Sequence, residues 1–203
     1  MTAAFEKFMR QYKMTGSEKA DGYSKDAFVG LEEHEKVEVF KLLQTELPFS
    51  VKWMFLLAPE KSIPVVQASE VELRGKAFAP VYLLQEKLLE FTGDVQYQNR
   101  IMEDYWHYDE GMRPRVIDAL ARTPPKKSVT DFYKQIILVE ANSSAIARAA
   151  GALLEVMKVS RTTDSQKAAY DRFLSVLRGE DTEAKLTILK ELMSFESAQP
   201  FAD

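Results

Sequence analysis

Residues 101–125, IMEDYWHYDEGMRPRVIDALARTPP, are the part of this 203-residue chain best equipped for chemistry. They set Glu103, Asp104, His107, Asp109 and Glu110 among Tyr105, Trp106 and Tyr108. Carboxylates beside an imidazole can ligate a divalent metal or move a proton. Acids beside aromatics can instead grip another protein. On a helix that begins near Asp94, Glu103 and His107 are i, i+4 neighbours, the spacing of a two-ligand metal clip. A third ligand would have to come from Asp109, Glu110 or another helix, and the only other histidine, His34, sits in the charged start of an early helix. Gln96, Arg100, Glu103 and His107 share one arc, so a solvated hydrogen-bonding face accounts for them without a metal. The expectation is no metal, no cofactor and no catalytic residue.

The same 100° step puts Val95, Met102 and Trp106 on one side, with Tyr97, Ile101 and Tyr105 continuing the apolar arc. Trp106 then reads as core. Tyr108 stands at the helix end beside Asp109, Glu110 and Gly111, where an aromatic brings contact area at low entropic cost. A protein-contact surface made of Asp104, Tyr105, Tyr108, Asp109 and Glu110 is the candidate site. A second acidic cluster, Glu32, Glu33 and Glu35, is the next candidate.

Other motifs are weaker. TPPKKS (123–128) could touch a phosphate, but a solvated connector leading to Ser128 as N-cap is the simpler reading. RGEDTE (178–183) reads as a turn with Asp181 as N-cap. Trp53, in the apolar run FSVKWMFLLAPE, reads as core. There is no Walker sequence, dinucleotide fingerprint, G-x-S-x-G elbow or H-E-x-x-H.

Composition narrows the classes further. The chain has no cysteine, which excludes disulfides, thiolate nucleophiles, zinc fingers and iron–sulfur clusters, and suits a reducing compartment. Net charge is −4, spread evenly, with no basic block to track a duplex. The sharpest bias is 94–110, with five acids against Arg100 alone. The opening MTAAFEKFMRQYK mixes charge with apolar residues, unlike a signal peptide, and no run nears the roughly 18 apolar residues of a membrane span. The expectation is a cytoplasmic protein that binds neither nucleic acid nor membrane.

Nearly every segment has helical period. NSSAIARAAGALLEVMK (142–158) gives the stripe Ile146, Ala149, Ala150, Leu153, Leu154 and Met157. Similar stripes run through Val39, Phe40, Leu43 and Leu47, through Tyr170, Phe173, Leu174 and Leu177, and through Ala184, Ile188, Leu192 and Phe195. Ser62 as N-cap with Pro64 just inside fits another helix start. Helices are expected near 2–12, 32–47, 49–58, 62–74, 79–91, 94–107, 109–122, 128–140, 142–158, 164–178 and 181–196. From residue 32 onward they group as pairs whose first members recur every 30 to 36 residues, the period of stacked helix pairs. A non-repetitive bundle with the same loop lengths is the alternative. Residues 1–31 read as an N-terminal cap, with Tyr23, Phe28 and Leu31 as its plugs.

DEGMRPRVIDALARTPP resembles an inner helix of the bacterial HEAT-like repeat proteins, with an acid at its start, an arginine one turn in, and then Val116, Ile117 and Leu120. ANSSAIARAAGALLEVM resembles the same unit through Ile146, Arg148, Ala149, Ala150 and Leu153. The opening FEKFMRQYKM, continued by DGYSKDAFVGLEEHEKVEVFKLL, also resembles the start of helical-repeat proteins encoded beside interbacterial toxins. The resemblance implies an all-α chain of about ten helices, antiparallel pairs stacked as a HEAT-like α-solenoid, with a cap at 1–31 and one repeat domain at 32–203. It also implies a non-enzymatic protein-binding function, most specifically an immunity protein that neutralises a cognate toxin. A scaffold, an assembly chaperone, or a HEAT-like DNA-base-excision enzyme is the alternative; the last needs a basic concave face that this charge pattern lacks.

Overall fold

The computed structural model of the chain describes residues 1–15, 22–76 and 78–196, with the last three described by backbone alone. Among the described residues there are eleven α-helices, two 3-10 turns and no strand. The helices are α1 (Ala3–Tyr12), α2 (Glu33–Gln44), α3 (Val51–Leu57), α4 (Pro59–Leu73), α5 (Tyr82–Thr92), α6 (Gln96–Asp104), α7 (Arg113–Ala121), α8 (Lys127–Val139), α9 (Ser143–Val156), α10 (Asp164–Arg178) and α11 (Thr182–Glu196). The 3-10 turns are Lys25–Ala27 and Tyr105–His107. Every helix expected from periodicity is present, and the protein is all-α. No helix among the described residues is long and apolar enough to cross a membrane. The chain forms two compact units, Met1–Asp94 and Val95–Asp203.

In the first unit, α1 opens on Thr2, whose hydroxyl accepts the Phe5 N–H at 3.2 Å. Phe8 is buried and stacks on Tyr23, with ring centroids 5.0 Å apart, and meets Phe28 edge-on. Tyr23, Phe28 and Leu31 are all buried, as their role as plugs requires. The expected cap also contains residues 16–21, which lie outside the described residues. Trp53 is a correction: it is half-buried, not core. It lies flat on Phe28 at 5.1 Å and meets Tyr23 edge-on. The interior between α2, α3, α4 and α5 is filled by Val39, Leu43, Met54, Phe55, Val66, Leu84 and Leu88.

The start of α4 is a second correction. The helix begins at Pro59, whose missing N–H is harmless in the first turn, so Ser62 is not its N-cap. Ser62 is buried inside the helix and donates its hydroxyl to the Ala58 carbonyl at 2.8 Å. At the end of α5, Gly93 adopts φ +70° and returns its N–H to the Leu89 carbonyl. A left-handed residue there suits glycine because it has no Cβ to clash.

In the second unit, α9 packs on α7, α8 and α10. Its alanines make this possible: Ala145, Ala149, Ala150 and Ala152 are buried beside Ile146, Leu153 and Leu154, and small side chains let neighbouring helices approach on several sides. The contact of α9 with α7 joins second members of successive pairs. The last pair departs from that order, since α10 packs on α9 while α11 returns to α8. Buried Lys185 on α11 fixes this return by donating to the Ile137 carbonyl in the last turn of α8 at 2.9 Å. Helix starts are mixed. Asp181 caps α11 through the Glu183 and Ala184 N–H groups, as expected. Ser128 is already inside α8, with extended Lys126 at the N-cap. The side chain of Phe195 lies outside the described residues.

Replacing Trp53 by alanine is expected to cost about 1–2 kcal/mol, below the roughly 3–5 kcal/mol of a fully buried aromatic. Leu153→Ala, at a fully buried site, is expected to cost about 2–5 kcal/mol. Urea unfolding of both variants checks the contrast, and equal losses would place Trp53 inside after all.

Candidate partner-binding site

The helix α6 and the turn that follows it have a buried side and an open side. Tyr97, Gln98, Ile101, Asp104, Tyr105 and Tyr108 face inward. Val95, Gln96, Glu103, Trp106 and His107 face solvent. The 3-10 turn at 105–107 has about three residues per turn, so Tyr105 and Tyr108 eclipse and both go in. This reverses the expectation for Trp106 and Tyr108, while Tyr105 goes inward with Tyr97 and Ile101 on the apolar arc. Tyr108 is 4% exposed and Tyr105 fully buried, while Trp106 keeps 40% of its surface in water. Of the five candidate residues, Asp104, Tyr105 and Tyr108 are therefore buried, and Asp109 and Glu110 are exposed. The side chains presented together at this turn are Glu103, Trp106, His107, Asp109 and Glu110.

The turn is held by a group 30 residues away that sequence reasoning missed. Glu140 sits between the end of α8 and the start of α9, with its side chain almost fully buried. Four groups donate to its carboxylate. The Tyr105 hydroxyl reaches Oε2 at 2.8 Å, and the N–H groups of Ala141 and Asn142 reach Oε1 at 2.8 and 2.9 Å. Arg113 Nη1 reaches both oxygens at 3.2 and 3.3 Å. Arg113 also donates from Nε to the Tyr108 carbonyl at 3.1 Å. Asn142 caps α9 through the Ala145 N–H and donates its own amide to the Glu110 carbonyl at 2.8 Å. Residues 105 to 110 are thus stitched to the start of α9.

Trp106 rests on this scaffold. The Arg113 guanidinium lies 5.3 Å from its ring centroid, and the Tyr105 ring meets it edge-on at 4.9 Å. A guanidinium over an indole is a favourable electrostatic contact, and here the guanidinium is itself fixed by Glu140. Asp109 has a structural duty as well, because its Oδ1 accepts the Met112 N–H at 3.0 Å and shapes the entry to α7.

The electrostatics follow from this geometry. Burial by itself would raise the Glu140 carboxyl, but the hydrogen bonds from Asn142, Tyr105 and Ala141, with the Arg113 charge, outweigh it and hold the group below the ordinary carboxylate range. Burial, and then the bond to Glu140, push the Tyr105 hydroxyl well above its usual range, so it acts as a fixed donor. Glu103 and His107 are both exposed, and His107 lies in the 3-10 turn, outside the α-helical register that i, i+4 spacing assumes. No group of three or more His, Cys, Asp or Glu side chains among the described residues is placed to hold a metal ion. The other acidic cluster is largely committed elsewhere. Glu35 is buried and accepts from Thr2 N–H and Oγ1, each at 2.7 Å, while Glu33 pairs with Lys36 at 2.6 Å.

A signal for Glu140 does exist in the sequence. EANSS places an acid two residues before an Asn N-cap, where the free N–H groups of a starting helix attract negative charge. The partners Tyr105 and Arg113, 35 and 27 residues earlier, left no such trace.

Because the folded pKa of Glu140 is lowered, its contribution to stability is complete above the unfolded value of about 4.3 and is lost as pH falls through the folded value. Glu140→Gln is expected to cost about 2–4 kcal/mol at pH 7, somewhat less than a fully buried pair, since the Arg113 side chain keeps 19% of its surface exposed. Below pH 4 the gap between wild type and variant should narrow. Urea titrations across pH 2–7 check this, and parallel curves would remove Glu140 from its central role.

Comparison of the chain with protein-family models, with curated proteins and with solved structures finds no match.

Proposed function

We propose that the chain is a non-enzymatic protein-binding protein that engages a basic partner surface through the turn at 103–110. One observation carries this reading: an exposed tryptophan, flanked by Glu103, Asp109 and Glu110, is mounted on a guanidinium that a buried carboxylate immobilises. Such a side chain offers a large contact area at little cost in lost motion, which is the character of a binding hot spot. The surrounding carboxylates would speed encounter with a positively charged partner.

The finer reading is an immunity protein of HEAT-like type that neutralises a cognate toxin in the cytoplasm. Two features support it. Within each unit helices pack mainly on their neighbours in sequence, as in helical-repeat proteins, although α11 returns to α8, and the opening segment is similar to that of repeat proteins encoded beside toxins. An acidic-aromatic turn would suit a toxin with a basic face, such as a nuclease.

The test uses the immobilised full chain in its native lysate beside two variants. Trp106→Ala should leave the fold intact and speed dissociation of the captured partner at least roughly tenfold. Glu103→Lys with Glu110→Lys should mainly slow association, an effect that fades as salt rises. Asp109 is left in place because it shapes the turn. If both variants hold the partner as wild type does, binding does not use this turn. A captured protein that arrests growth when expressed alone, and does not when co-expressed with this chain, would establish the immunity reading; a harmless one would leave a scaffold.

A further inference from the structure

A second surface, in the first unit, has the opposite electrostatic character. A groove with a cavity volume of about 340 Å³ runs along α2 and is closed on its far side by Leu57, Ala58 and Lys61. The 100° helical step places Phe40, Glu33, Gln44 and Val37 within an arc of about 60°, with Lys36 and Lys41 at its two edges. Val37, at the Lys41 end of that arc, is 49% exposed. Lys61 enters from α4 across the groove. Three lysines thus border an apolar floor that contains one acid, Glu33, which is tied to Lys36. Lys41 takes part in no ion pair among the described residues, while the Lys61 charge helps Lys36 hold the Glu33 carboxyl below its ordinary range. In a chain whose net charge is −4, this is a local excess of positive charge over unsatisfied apolar surface.

We propose that this groove docks an acidic, amphipathic peptide segment of a partner protein. Length and charge placement together select that occupant. The lining residues of α2 run from Glu33 to Gln44, about 16 Å along the helix axis. A small anion could meet Lys36 and Lys61 together, as the Glu33 carboxylate already does, but it would leave Lys41 and the apolar floor uncovered. A segment with carboxylates spaced along one side meets both edges and Lys61, while its own apolar residues cover Val37, Phe40 and Leu57. The lysine stems add apolar contact and leave the ammonium groups at the rim, where they select for charge. The surface is separate from the acidic turn, and its test involves different residues.

The probes are synthetic fourteen-residue helical peptides carrying three glutamates and three leucines on one face, in a small panel of glutamate spacings, together with lysine-for-glutamate counterparts. Binding to the full chain is read by fluorescence anisotropy at low salt. Glutamate peptides should bind and lysine peptides should not. Lys41→Glu with Lys61→Glu, both exposed positions, should weaken glutamate-peptide binding roughly tenfold or more without moving the melting temperature, and should confer binding on the lysine peptides. Phe40→Ala should weaken binding without altering charge preference. The proposal fails if no peptide binds at millimolar concentration, or if the double variant binds as wild type does. It fails equally if inorganic phosphate or dodecanoate displaces the peptide at matched concentration, which would make this a small-anion site. A concentration-dependent dimer abolished by Lys41→Glu would overturn it in favour of a second copy of this chain.

Discussion

A buried carboxylate cannot remain charged unless donors replace the water it has lost, and the second unit is arranged around satisfying one. Glu140 collects a phenol, a guanidinium and two backbone N–H groups. Those donors come from the 3-10 turn after α6, from the first residue of α7, and from the entry to α9. Meeting the needs of one side chain therefore fixes the relative positions of three segments. A buried ion pair of this kind adds little net stability over a well-packed apolar replacement, but it penalises every arrangement in which one partner is left unpaired. The result at the surface is a tryptophan with little freedom to move.

The first unit reaches a similar solution with different residues. Glu35, in the first turn of α2, accepts the N–H and hydroxyl of Thr2 and the N–H of Glu32. Burial would raise its carboxyl, yet the hydrogen bonds from Thr2 and Glu32 carry it below its ordinary range. In both units an acid near the start of a helix draws on free backbone N–H groups to offset desolvation, and uses its remaining capacity to bind an earlier segment. Acids that might have formed an interaction surface are thereby withdrawn from it. Charge counted along the chain overstates the charge available at the surface.

The two proposed surfaces differ in sign and in construction. The turn at 103–110 is acidic and centred on one exposed aromatic. The groove along α2 is concave, bordered by lysines and floored by aliphatic and aromatic side chains. Each depends on long-range packing for its apolar element to be presented at all. Trp106 stays out because Tyr105 and Tyr108 occupy the interior, and Val37 is exposed because Val39 and Leu43 take the inner face of α2.

The helices themselves were legible from the sequence. Period-3.6 stripes such as Ile146, Ala149, Ala150, Leu153 and Leu154, and breaks at Pro59, Gly93 and Gly179, are local features, and local sterics and backbone hydrogen bonding are enough to fix them. The plugs Tyr23, Phe28 and Leu31 were legible for the same reason, as apolar residues in an otherwise polar segment. What remained open was which of two adjacent aromatic arcs would turn inward. Tyr105, Trp106 and Tyr108 are consecutive or nearly so and all are apolar enough to be buried; α-helical periodicity puts Trp106 inside and Tyr108 outside, and the 3-10 turn exchanges them. That choice was made by Glu140, which offers an acceptor that a tyrosine hydroxyl can use from inside, and by Arg113, which Glu140 holds beside the indole. Ser62 and Ser128 show the same limit at helix ends, where several neighbouring residues can serve as caps. Periodicity along a chain sets the phase of each helix; the polar partner that a buried group will meet comes from a distant segment, and only the packing of one helix against another brings the two together.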